Sequence, residues 1–167
     1  MKQLLVIRHA KSSWDFSVLN DFDRPLNERG RHDAPMMANR LLKKKIEIDA
    51  FISSTANRAL TTASYFFDVY KKNKNKLKAD HIIEVPELYH ASRNIFYEVI
   101  SKTADSFDTI AVFSHNPGIT SFVNELTSTK IDDMPTCGIF GVQIKTKSWK
   151  DFAPAEKKFW FFDYPKS

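Results

Sequence analysis

At 167 residues, 43% hydrophobic and 13% aromatic, the chain fits one ordered domain spanning residues 1–167, with core enough to need no covalent staples. A single cysteine, Cys137, excludes an internal disulfide and a cysteine-rich zinc site; no apolar run is long enough to cross a bilayer, and a reducing cytoplasm is the expected location. The net charge of +5 fits either plain solubility or a preference for anionic substrates.

The chain opens on a short apolar run, Leu4 to Ile7, that reads as a buried strand and breaks straight into Arg8 and His9. A fixed cation and an imidazole therefore stand at the carboxyl end of a strand, where open α/β sheets bind ligands. Residues 11–27 show no sustained period and read as a long loop, with Trp14 expected to anchor it in the core. Asn27 is a candidate N-cap for a helix whose apolar positions are Ala34, Met37, Ala38, Leu41 and Leu42. Pro35 falls inside that stripe and is expected to kink the helix or delay its regular part.

Residues 48–53 read as a second strand, and Ser54 or Thr55 then caps a helix with Ala59, Ala63, Phe66, Phe67 and Tyr70 on one face. The lysine-rich run from Lys71 to Lys78 has no interleaved aromatics and reads as a solvated helix end and loop, a weak basis for nucleic-acid binding. A short strand follows around 82–85, then a loop carrying Glu87 and a helix over 94–101. The continuous apolar strand TIAVFS, 109–114, ends in His115, and Asn116-Pro117-Gly118 opens a helix with Ile119, Phe122, Val123 and Leu126 buried. Two strands rich in Phe, Val, Ile and Trp, over 138–145 and 157–164, close the chain. The alternation of strands and helices predicts a three-layer α/β/α fold, with a mostly parallel central sheet of about six strands, one of them antiparallel.

Three strand ends repeat one chemistry: Arg8 and His9 follow the first strand, Arg58 lies in the first turn after the second, and His115 follows the TIAVFS strand. Parallel strands put these ends on one edge, and the helix N-termini beside them add partial positive charge. A lone histidine after a strand is usually a structural hydrogen bonder, and a lone arginine in a helix is usually solvated. Two of each converging on one edge describe a phosphate pocket instead. Other phosphate chemistries do not fit. Cys137 is followed six positions later by Gln143 rather than arginine, and four glycines make no nucleotide-binding fingerprint.

The stretches RHA (8–10), LNERGRHDA (26–34), SSTANRALTTA (53–63) and SHNPGIT (114–120) resemble the histidine phosphatase (phosphoglycerate mutase-like) superfamily. Within it, RHAKSSWD, DFDRPLNERG and HNP are most similar to the SixA-type phosphohistidine phosphatase branch. The resemblance implies a phosphoglycerate mutase-like fold, with His9 as nucleophile and Arg8, Arg58 and His115 holding the phosphoryl oxygens. It implies no metal and no cofactor. Ser12, Ser13 and Asn116 are further candidate substrate contacts, the two serines standing equally well as loop caps. Two departures stand out. Ala10 replaces the usual glycine after the RH pair, and Asn116 stands where many acid phosphatases of the superfamily carry an aspartate. Glu87 is then the candidate proton donor to the leaving group, against a plain solvated role. The implied substrate is phosphohistidine on a phosphorylated protein; a small phosphate ester, or phosphate binding without turnover, are the alternatives.

Overall fold

The computed structural model describes residues 1–15, 20–73 and 76–166, so parts of the long first loop and of the lysine-rich run lie outside the described residues. Six strands form one sheet: β1 Lys2–Arg8, β2 Ala50–Ser53, β3 Ile82–Glu84, β4 Thr109–Ser114, β5 Ile139–Ile144 and β6 Lys157–Asp163. Four α-helices accompany them: α1 Glu28–Lys43, α2 Asn57–Asn73, α3 Arg93–Ser101 and α4 Gly118–Leu126. The strand order is β3-β2-β4-β1-β5-β6. The first four pair in parallel, and β5 runs antiparallel between β1 and β6.

Both faces of the sheet are covered, which is why its central strands read as unbroken apolar runs. Leu5, Ile7, Phe51, Ala111, Phe113 and Ile139 face α1 and α2, meeting Met37, Leu41, Phe66 and Tyr70. Leu4, Val6, Ile52, Ile110, Val112 and Phe140 face α3 and α4, meeting Phe96, Ile119, Phe122 and Val123. The aromatic β6 is an edge strand, half-buried, with Phe159 and Phe162 on one core and Trp160 and Phe161 on the other.

The connections fix where a ligand can sit. From β1 the chain crosses through α1 to β2, and from β4 it crosses through α4, on the opposite face, to β5 on the far side of β1. Adjacent parallel strands whose connections leave in opposite directions open a crevice at their carboxyl ends. Register brings those ends level, with Arg8 opposite Ser114 and Ser53 opposite Phe113. The pairing runs one residue further, as His9 N–H donates to Ser114 O at 3.2 Å and Ser54 N–H to Phe113 O at 3.0 Å.

Helix α1 starts at the expected cap, the Asn27 side chain accepting from Gly30 N–H at 2.9 Å. It runs through Pro35 as one assigned helix from Glu28, so the proline neither delays nor ends it. Packing of Ala34, Met37, Ala38 and Leu41 on the sheet outweighs one missing backbone donor. At the head of α1, Gly30 lies against the backbone just after the RHA segment. A β-carbon there would stand 2.1 Å from Lys11 O, the oxygen that accepts from Asn27 N–H. Gly30→Ala is therefore expected to destabilise the fold by about 2 kcal/mol despite alanine's better helix propensity, a fall in Tm of roughly 5 °C on calorimetry.

Candidate active site

The crevice between β1 and β4 gathers both histidines, with His9 and His115 each 5% exposed and their rings 5.2 Å apart. His9 Nδ1 lies 2.8 Å from Ala10 O. A carbonyl only accepts, so Nδ1 carries the hydrogen and Nε2 keeps its lone pair. The backbone around this ring is pinned from two sides. Ala10 N–H donates to Thr62 Oγ1 of α2, and Cys137 N–H donates to the carbonyls of both Arg8 and His9. Cys137 itself is buried, and burial pushes its thiol well above the usual range.

His115 Nε2 lies 2.8 Å from Ser54 Oγ, whose oxygen also accepts from Ala56 N–H. With the serine hydrogen donated to Nε2, the ring hydrogen resides on Nδ1. Burial, followed by the Arg58 charge, pulls His115 down to about 3. Burial likewise pulls His9 well below the ordinary histidine value, with His115, Arg8 and Arg58 adding to the effect. Both rings are neutral at pH 7.

The two arginines are held on their outer nitrogens. Arg58 donates from Nη1 to Asp21 O at 2.6 Å and from Nη2 to Asp21 Oδ2 at 3.0 Å. Arg8 donates from Nη1 to Met134 O at 2.8 Å, and burial lowers its pKa. Their Nε atoms, together with Nδ1 of His115, are buried with no hydrogen-bond partner among the described residues. A buried donor left unpaired costs roughly 1–3 kcal/mol, so three around one crevice ask for a multidentate acceptor. A tetrahedral oxyanion supplies one.

Asp21 has the largest role that the sequence did not reveal. Desolvation would raise its pKa, but the Tyr89 hydroxyl, Arg58 and Arg24 hold the carboxyl well below the usual range. Tyr89 OH donates to Oδ2 at 2.6 Å, and Arg24 Nε donates to Oδ1 at 3.2 Å. The Tyr89 ring meets His115 edge-on, with centroids 5.5 Å apart. Asp21 and Arg24 lie in a stretch with no period, and Tyr89 is 68 residues from its partner; spacing carries no signal for such contacts.

The remaining candidates are placed as follows. Ser12 Oγ accepts from Arg24 Nη1 at 2.8 Å, and Ser13 Oγ accepts from Asp15 N–H, so both oxygens cap the loop. Trp14, expected in the core, is instead 74% exposed and lies flat over Arg24, 3.6 Å from its ring centroid to the guanidinium carbon. Stacking on a cation already fixed by Ser12 and Asp21 holds the ring outside. The Asn116 amide donates to Asp133 and Met134 rather than into the crevice. Glu87 is exposed and lines a separate cavity of about 380 Å³, with Ile83, Val85, Ile95, Val99 and Phe107. His90 is exposed and stacks on Tyr89, and His32 lies on the surface beside Asp33. His81 is half-buried against Phe107. Among the described residues no cluster of three or more His, Cys, Asp or Glu side chains is set to hold a metal, and no helix is long and apolar enough to cross a membrane.

Residues 4–79 match the family model of the histidine phosphatase superfamily (branch 1). An uncharacterized Mycobacterium tuberculosis protein is 27% identical over 159 residues, covering 89% of this chain and 92% of that one. The protein histidine phosphatase SixA, solved with tungstate, superposes with a TM-score of 0.80 at 23% identity over 98% of this chain and 97% of its own. A SixA-type protein from Agrobacterium tumefaciens gives 0.80 at 20% identity, covering 98% of both chains. The chain thus carries the histidine phosphatase superfamily pattern over residues 4–79 and the phosphoglycerate mutase-like fold of SixA proteins along nearly its whole length.

Proposed function

We propose that the protein is a phosphatase working through a phosphohistidine intermediate, with phosphohistidine on a protein as its preferred substrate. His9 Nε2 attacks phosphorus in line, forming a P–N bond as the bond to the leaving group breaks. Water then attacks the phosphorus, and the P–N bond to His9 breaks to release phosphate. The phosphoryl oxygens are taken by Arg8, Arg58 and His115, which supply the positioning and positive charge that phosphoryl transfer requires without a metal.

The observation that carries this reading is the trio of unpartnered nitrogens, Arg8 Nε, Arg58 Nε and His115 Nδ1, around a histidine whose Nε2 lone pair is free. The substrate class is supported by the lack of a protonated carboxyl among the described residues of the crevice. His9 and His115 are neutral, Asp21 is held ionised, and Glu87 lines another cavity. An alkoxide leaving group needs an acid, a contribution of about 10²–10⁴-fold. A phosphoramidate nitrogen accepts its own proton from water and needs none.

The test is turnover of a phosphohistidine protein and of phosphoramidate against an alkyl phosphate such as glycerol phosphate. The nitrogen-linked substrates are expected to react at least about 100-fold faster. Glu87→Gln is expected to stay within about twofold of wild type on both classes. Faster alkyl ester turnover, lost in Glu87→Gln, would establish the small-ester alternative. Phosphate binding without turnover of any substrate would establish a binding module.

A further inference from the structure

We infer that Asn116 and Thr120 are positioning residues that set the Arg8 guanidinium against the phosphoryl group through the Asp133–Met134 segment. This rests on the reading of Arg8 as a phosphoryl contact.

Asn116 directly follows His115, yet its side chain is fully engaged elsewhere. Its Nδ2 donates to Asp133 Oδ1 at 2.9 Å and to Met134 O at 3.2 Å, which uses both amide hydrogens. Its Oδ1 accepts from Thr120 Oγ1 at 2.6 Å, and that hydroxyl oxygen accepts from Met134 N–H at 3.0 Å. Residue 134 is therefore held at both its nitrogen and its carbonyl by one asparagine–threonine pair. Met134 O is the acceptor for Arg8 Nη1 at 2.8 Å, and Asp133 Oδ2 lies 4.0 Å from the same nitrogen. Both groups that hold the guanidinium from behind are thus fixed by Asn116 or Thr120, while Arg8 Nε stays buried and unpartnered.

This explains the departure noted at position 116. An aspartate there has no hydrogen to give Asp133 or Met134 O, and would set two carboxylates within hydrogen-bonding distance of one another. Asparagine is required because the position serves Arg8 and not the leaving group.

The test compares kcat and KM for phosphoramidate in Thr120→Val and Thr120→Ser, each made alone and in an Arg8→Lys background. Thr120→Val is expected to lower kcat/KM about tenfold, mostly by raising KM, since Arg8 grips the phosphoryl group before and during transfer. Thr120→Ser keeps the hydroxyl and should remain within about twofold. In the Arg8→Lys background Thr120→Val should change kcat/KM less than about twofold, because the side chain it acts through is already gone. An equal loss in both backgrounds marks general structural damage and overturns the inference, as does no loss in either. Asn116→Asp should lose as much as Thr120→Val; a gain in alkyl ester hydrolysis would show residue 116 reaching the leaving group and overturn it too. Should the wild-type chain turn over no substrate, the phosphatase reading fails separately. Calorimetry with inorganic phosphate on the same variants then decides, tenfold weaker binding supporting the positioning role and unchanged binding overturning it.

Discussion

His9→Ala is expected to reduce kcat by about 10⁴-fold or more and to abolish covalent labelling of the protein by a phosphorylated donor. The label is read after quenching without acid, because a phosphohistidine hydrolyses in acid. With Nδ1 donating to Ala10 O, the nucleophilic lone pair sits on Nε2, and no neighbouring side chain takes over that position once the ring is removed. His9→Asn, nearer in volume, should be equally inactive, which separates lost chemistry from lost packing at a residue only 5% exposed. Residual activity equal to wild type in either variant would sink the mechanism. The pH profile belongs to the same experiment. Burial and the neighbouring cations depress the His9 pKa, so the reactive neutral ring persists below the ordinary 6.5. kcat/KM should therefore stay level as pH falls from 8 to about 6, where an unperturbed imidazole would already be about three-quarters protonated and inactive.

Arg58→Ala should cost about 10³-fold in kcat/KM, and Arg58→Lys should recover little of it. Asp21 is the reason lysine does not substitute. The guanidinium gives both outer nitrogens to Asp21 and keeps Nε for an oxyanion; an ammonium has no such division of faces. Kinetics on phosphoramidate with all three proteins measures this, and near-normal activity in the lysine variant would show that charge alone is used. Removing Arg58 also takes away a hydrogen bond and a charge that keep the Asp21 carboxyl low, so that group should titrate closer to the ordinary carboxylate range.

The layout of strands and the four central residues were legible because the physics that places them is local. Val6, Ile7, Val112 and Phe113 are apolar on consecutive positions since both sheet faces are covered, and polar residues appear only where each strand emerges. Arg8, His9 and His115 stand at those points of emergence, so they stood out. Asn27 was readable as a cap because a cap and the N–H that donates to it lie three residues apart. Tyr89 and Asp133, and Asp21 as the holder of Arg58, were not, since each acts through a partner that only the tertiary fold brings near. Trp14 shows the opposite error. Its size argued for burial, and a stacked guanidinium made the surface acceptable. Glu87 and Tyr89 lie two residues apart across the short turn from Pro86 to Leu88, yet Glu87 lines the cavity beside Ile83 and Phe107 while Tyr89 meets Asp21 and His115.

The strand order has a consequence for how the molecule breathes. Arg8, His9 and His115 end or directly follow β1 and β4, and Arg58 opens the helix after β2; these three strands are flanked on both sides by others, whereas β3 and β6 are the margins. Local opening in a sheet protein begins where backbone pairing is one-sided and proceeds inward at rising free energy. Fraying of the β6 margin therefore leaves the phosphate cradle standing. The groups that demand sub-ångström placement share the fate of the last part of the sheet to open, so the molecule loses its chemistry only when it loses its fold.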